Sequence, residues 1–154
     1  AVQWFRRCLA ARGRLRMEWL LEAGPFTAQF RESYLSTIPF TFHGVDRHGH
    51  PVYIIRYGQV DLAAFRSLWA EGEALMKSAG LAVNGMVAFH LRAMEYLTSV
   101  VMRRESERQG RVVDRILSIM DVDGLGLKHF DRCLKDFLVG VSAESVPLFP
   151  ETLH

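Results

Sequence analysis

Asp121 and Asp123 are spaced i, i+2 in an acidic, glycine-bearing turn, Asp121-Val122-Asp123-Gly124. The turn closes the apolar run Ile116 to Met120, which only Ser118 interrupts. Two carboxylates so placed at a strand's C-terminal end are what phosphoryl transfer through an aspartate nucleophile needs. The bland alternative is a strand-end turn whose carboxylates cap nearby backbone amides. The pair also opens like a calcium loop, but Leu125 at the fifth position and Arg132 at the twelfth exclude one. His43, His48 and His50 sit beside a turn and read as solvent-facing residues rather than metal ligands. His90 falls on an apolar helix stripe and reads as a hydrogen-bonded core histidine. Cys8 and Cys133 give neither a disulfide framework nor metal spacing, and read as reduced, buried thiols. There is no Gly-x-Ser-x-Gly elbow, no Walker loop and no dinucleotide fingerprint.

The elements that must position these residues follow from periodicity. Trp4, Phe5, Cys8, Leu9, Arg12, Leu15, Trp19 and Leu20 recur at helical spacing, and Gly24-Pro25 stops that helix. A short helix from Thr27 to Ser36 ends before Pro39. Phe40–Val45 and Pro51–Tyr57 read as two strands around Asp46-Arg47-His48-Gly49, a hairpin with Pro51 at a strand start or edge. Asp61 caps a helix that Gly80 closes, and Asn84 caps the next, which Gly110 ends. Val112–Asp121 reads as a strand covered on both faces, as in a parallel sheet. Phe130, Cys133, Leu134, Phe137, Leu138 and Val141 mark a last amphipathic helix. This order predicts an α/β fold.

The chain has 154 residues, enough for one domain, and 49% of them are apolar, ample for a core. A net charge of +2 demands no nucleic acid. Arg6, Arg7, Arg12, Arg14 and Arg16 crowd the start, and Arg103, Arg104, Arg108, Arg111 and Arg115 form a second group. Both read as solvated helix faces, with contact to anionic lipid as the sharper alternative. No apolar run reaches the length of a membrane span. Met76, Met86, Met94, Met102 and Met120 suit core packing or a cavity for a flexible apolar ligand, and spacing alone does not separate the two. The chain opens at Ala1 inside a helical pattern and stops at His154, so a piece of a longer protein is expected.

The aspartate pair resembles the nucleophile motif of haloacid-dehalogenase-type phosphatases. However, Leu125 stands where that family prefers threonine, and only 30 residues follow Gly124. A broader resemblance covers about Ile38 to His154. The hairpin Phe42-His43-Gly44-Val45-Asp46-Arg47-His48-Gly49-His50-Pro51-Val52-Tyr53 resembles the F-H-x-x-D-x-x-G-x-P-V-Y signature of CRAL-TRIO lipid-binding domains. Tyr57-Gly58 with Val60-Asp61-Leu62 continues it, Ile116–Leu125 is similar to that family's central strand and glycine turn, and Phe149–Leu153 to its Y-P-E-x-L element. Within the family the chain looks most like phosphatidylinositol/phosphatidylcholine transfer proteins.

The resemblance implies a mixed, largely parallel sheet flanked by helices around an apolar lipid pocket. Residues 38–154 would be the N-terminal and central part of that domain, and residues 1–37 the end of an N-terminal helical subdomain. It implies a non-enzymatic module that binds a phospholipid, with phosphatidylinositol as a candidate, and transfers or presents it between membranes. A lipid-sensing regulatory domain without transfer is the second reading, and a phosphatase using Asp121 and Asp123 the third. The lipid-binding positions it implies are Phe42, Tyr53, Ile116, Ser118, Met120 and Glu151. Tyr53 stands where the family contacts phosphocholine. Phe42 and Ile116 stand where it has hydroxyl groups, and Glu151 where a carboxylate helps hold inositol. The expected ligand is a phospholipid or other hydrophobic small molecule, with no cofactor, metal or nucleic acid. A monomer is expected, cytoplasmic and in transient contact with membrane surfaces.

Overall fold

Short polar side chains start the helices, and the sequence names most of them. The computed structural model describes residues 2–22, 24–129 and 131–149. In chain order it contains α1 (Val2–Leu15), α2 (Met17–Glu22), α3 (Ala28–Thr37), β1 (Phe40–Val45), β2 (Pro51–Arg56), α4 (Leu62–Ser78), α5 (Gly85–Tyr96), α6 (Met102–Gln109), β3 (Leu117–Asp121) and α7 (Arg132–Leu148). Thr27 accepts the Phe30 amide, Asp61 those of Ala63 and Ala64, Asn84 that of Met86, and Asp131 those of Cys133 and Leu134. Each satisfies donors that the first helical turn leaves without partners.

Two helices differ from the sequence reading. The expected single helix to Gly24 breaks at Arg16, whose φ is +51°. Its guanidinium lies 4.5 Å from the centre of the Trp19 ring and donates to the Ala79 carbonyl at 3.4 Å. The helix expected from Asn84 to Gly110 contains a wider π turn at Leu97–Val101. There Thr98 and Ser99 both donate to the Glu95 carbonyl, diverting an acceptor from the regular ladder.

The sheet order is β1-β2-β3, with β1 antiparallel and β3 parallel to β2. The third strand is shorter than expected and is not covered on both faces. Its partner β2 begins only at Pro51, and the ladder starts at Val52 opposite Leu117, so residues 112–116 have nothing to pair with. Val113 gives its amide to the Ser106 hydroxyl instead. Among the described residues β3 is an edge strand, and Leu117 and Ile119 each keep 43% of their surface exposed.

The core lies between the other sheet face and the helices. Phe26, Phe30, Tyr34 and Phe89 form an aromatic cluster beneath α3 and α5. Phe65 of α4 meets Phe137 of α7 edge to face at 5.6 Å. Met76, Met86 and Met102 are core residues. The arginines at the start include tethers as well as solvated groups. Arg12 reaches Glu95 of α5 at 3.0 Å, and Arg14 pairs with Glu144 of α7. Cys8 and Cys133 are free thiols, half-buried rather than buried.

Candidate functional site

The hairpin turn is a structural device. Asp46 Oδ1 accepts the amides of His48 at 2.7 Å and His50 at 2.9 Å, and Oδ2 lies 3.2 Å from His50 Nδ1. These bonds, the His50 amide first, hold the Asp46 carboxyl below the usual carboxylate range. Gly49 turns the chain at φ +80°, where a side chain would be strained and would also strike Gln109. The spacing Asp46-x-x-Gly49-x-Pro51 therefore fixes where β2 begins. His50 serves this turn, His43 is exposed, and no group of metal ligands occurs among the described residues.

That register determines which side chains share a face. Phe42 pairs with Tyr53, which pairs with Ser118; Phe40 pairs with Ile55, which pairs with Met120. Alternation along a strand sends all six to one face. A cavity of about 410 Å³ lies between this face and the helices. Tyr53, Ile55, Ile116, Ser118 and Met120 form its sheet wall. His90 and Met94 line it from α5, Phe137, Leu138 and Val141 from α7, and Trp4 from α1. Its remaining lining is Tyr57, Ser142, Ser145, Val146 and Phe149, so no Asp, Glu, Lys or Arg contributes. A neighbouring cavity of about 600 Å³ shares Tyr57 and Leu138 and continues past Leu125, Leu134 and Val139.

The polar groups of the first cavity are neutral. Burial raises the Tyr53 hydroxyl, with a smaller contribution from Tyr57, and burial alone raises Tyr57. Burial pushes the His90 imidazole down to about 4. Tyr34 Oη lies 3.3 Å from His90 Nδ1. The Ser118 hydroxyl makes no hydrogen bond among the described residues and is half-buried at the wall. An apolar chamber with a few neutral polar groups is suited to holding an amphiphile's uncharged part.

The structure places Tyr53, Ile116, Ser118 and Met120 together, with Met120 still 62% exposed at the open edge of β3. Phe42 stands apart from them and is not part of this cavity's lining. Its strand is the opposite sheet edge, its ring is 39% exposed, and it packs on Tyr53 at 5.4 Å. Glu151 and Phe130 lie outside the described residues. Sequence reasoning missed Tyr57, His90, Phe137 and Val141 as cavity residues and left Met94 open between core and cavity. The spacings His90–Met94 and Phe137–Val141, each i, i+4, mark shared helix faces. Yet those faces look like ordinary core until the sheet is placed beneath them.

Asp121 and Asp123 do not form a catalytic pair. Asp121 Oδ1 accepts the Asp123 amide at 2.9 Å, and its other oxygen lies 3.9 Å from Arg56. Leu125 closes the turn by donating to the Val122 carbonyl. The carboxylate organises the end of β3, as the capping alternative holds.

Comparison with known proteins agrees with this geometry. The CRAL/TRIO domain model matches residues 35–154. The chain is 28% identical over 123 residues to phosphatidylinositol/phosphatidylcholine transfer protein SFH4 of Arabidopsis thaliana, covering 80% of this chain and 18% of that protein. SFH7 and SFH12, transfer proteins of the same name and organism, are 26% and 28% identical over 144 residues, 90% of this chain and 24% of each. The chain thus spans about a fifth to a quarter of the length of these relatives. These matches are to lipid-transfer proteins and not to enzymes. With the hairpin, the parallel β2–β3 pair and the matched residues 35–154 in agreement, the chain belongs to the CRAL/TRIO domain family.

Proposed function

We propose that this chain is part of a lipid-binding and transfer module, and that the cavity between the sheet and α5 and α7 receives part of the acyl and glycerol portion of one phospholipid. The observation that carries this reading is a chamber of about 410 Å³ whose lining includes no charged side chain. The energetics are those of sequestration. Each buried CH₂ contributes roughly 0.8 kcal/mol, so an acyl chain supplies most of the affinity and a few polar groups the selection. A charged headgroup finds no counter-charge on this wall, so it lies beyond it. Of the two headgroups in the relatives' names, inositol suits this chain better. Phe42 and Ile116 stand where the family resemblance implies hydroxyl groups toward choline, whereas Glu151 keeps the carboxylate implied for inositol.

Membrane contact in this reading is transient: among the described residues no helix is long and apolar enough to cross a bilayer. The test is uptake from vesicles of phosphatidylinositol or phosphatidylcholine, followed by organic extraction and mass spectrometry. Recovery of phosphatidylinositol in preference to phosphatidylcholine supports the reading. Recovery of neither overturns it.

A further inference from the structure

We propose that His90 is a specificity residue of the lipid cavity: its Nε2–H donates a hydrogen bond to an ester carbonyl oxygen of the bound lipid, and Tyr34 holds the imidazole in the tautomer that does so. This rests on the lipid-cavity reading above and goes further by naming the donor, its orienter and the acceptor.

The tautomer follows from accounting for the protons. Tyr34 is wholly buried, and among the described residues its hydroxyl has one hydrogen-bond partner, His90 Nδ1 at 3.3 Å. A hydroxyl that accepted from Nδ1–H would leave its own proton without an acceptor in the core. Donation from Tyr34 to Nδ1 satisfies both atoms, and it leaves the imidazole proton on Nε2. The ring is also held edge-on to Phe137, with centroids 6.0 Å apart and planes at 89°. Its direction is therefore fixed by α3 on one side and α7 on the other.

The remaining N–H faces open space. Among the described residues the one side-chain nitrogen or oxygen both sealed from solvent and unpartnered is His129 Nε2. Among the described residues His90 Nε2 has no hydrogen-bond partner either, so it is not sealed, and the void its ring borders is the cavity. A donor beside Met94, Phe137 and Val141 requires an acceptor that such surroundings tolerate. A phosphate oxygen would bring a charge into a chamber with no cation. An ester carbonyl brings none, and it sits where the acyl chains of a glycerolipid meet the glycerol. The depressed imidazole basicity agrees, since a neutral ring is a single-proton donor at Nε2.

The test compares uptake by the full chain from vesicles carrying diester phosphatidylinositol with uptake from vesicles carrying its diether analogue, which lacks both carbonyls. The expected result is a preference for the diester of about five- to tenfold, the size of one neutral hydrogen bond. His90→Leu brings that ratio to about one. His90→Gln, whose amide nitrogen reaches about as far as Nε2, keeps most of it. His90→Asn, whose amide sits nearer the place of Nδ1, loses it and covers the case in which the leucine variant does not fold. A purely structural histidine would lower uptake of both lipids together and leave the ratio unchanged. An unchanged ratio in the leucine or asparagine variant, or no diester preference in the parent chain, overturns this inference while leaving the cavity reading intact. Uptake of neither lipid by the parent overturns both.

Discussion

Tyr53 on β2 and Ser118 on β3 are direct partners in the parallel register, and both side chains face the same apolar cavity. Their hydroxyls are the polar groups of a wall otherwise made by Ile55, Ile116 and Met120. Ser118→Ala should lower lipid uptake about three- to tenfold, the loss of one neutral hydrogen bond. It should leave the melting temperature nearly unchanged. Phe42→Tyr should do little, because Phe42 stands outside the cavity lining. Ile116→Ser should cost on the order of 2–4 kcal/mol of stability, since Ile116 is 7% exposed and the change leaves both a void and an unpaired hydroxyl. Vesicle-uptake assays read beside thermal melts separate these effects. Normal uptake by Ser118→Ala removes the serine from the site.

The end of β2 and the end of β3 meet at Gly58. A Cβ there would lie 1.8 Å from the Asp123 carbonyl oxygen, which is backbone and has little room to move. Gly58→Ala should therefore destabilise the chain by about 2–3 kcal/mol or more, and should disturb the turn that Asp121 organises. Gly13→Ala is the control. It lies within α1 with nothing within 4 Å of the added atom, and it should stabilise by about 0.5–1 kcal/mol. Chemical denaturation of the two variants measures both. Equal effects would contradict the close approach of the two strand ends.

Histidine 90 should make stability sensitive to mild acid. Its folded value of about 4 lies below the ordinary 6.5, so the unfolded chain takes up the proton first. Its contribution is fully present above pH 6.5 and is lost as the pH falls from there towards 4. The loss is on the order of 2 kcal/mol, a figure reduced because the residue borders the cavity and is not fully buried. Melting curves of the parent and His90→Gln between pH 7 and pH 4.5 isolate it from the carboxylates. The parent should lose more stability than the variant over that interval. Parallel curves would show that the ring is not held neutral by burial.

Much of this was legible because the decisive signals are local. Asp61 and Asn84 announce helix starts, Gly110 announces an end in the left-handed region, and Asp46-x-x-Gly49-x-Pro51 sets the hairpin. Once β2 is set, period-two alternation puts Ile116, Ser118 and Met120 on one face. The rest depends on distant partners. The break at Arg16 is completed by Trp19 and the Ala79 carbonyl, the latter 63 residues away. The strand reading of residues 112–116 failed because strand propensity cannot form a ladder without a partner strand. His90 read as core because an apolar stripe does not show whether a helix or a cavity faces it. Tyr34, 56 residues earlier, decides its tautomer.

Native mass spectrometry of the purified chain after incubation with phosphatidylinositol vesicles tests the central claim most directly. The expected result is a folded charge-state distribution shifted by the mass of one phospholipid per chain, with the lipid released only on collisional activation. A folded chain that keeps its bare mass after the same incubation would contradict a lipid cavity between the sheet and α5 and α7.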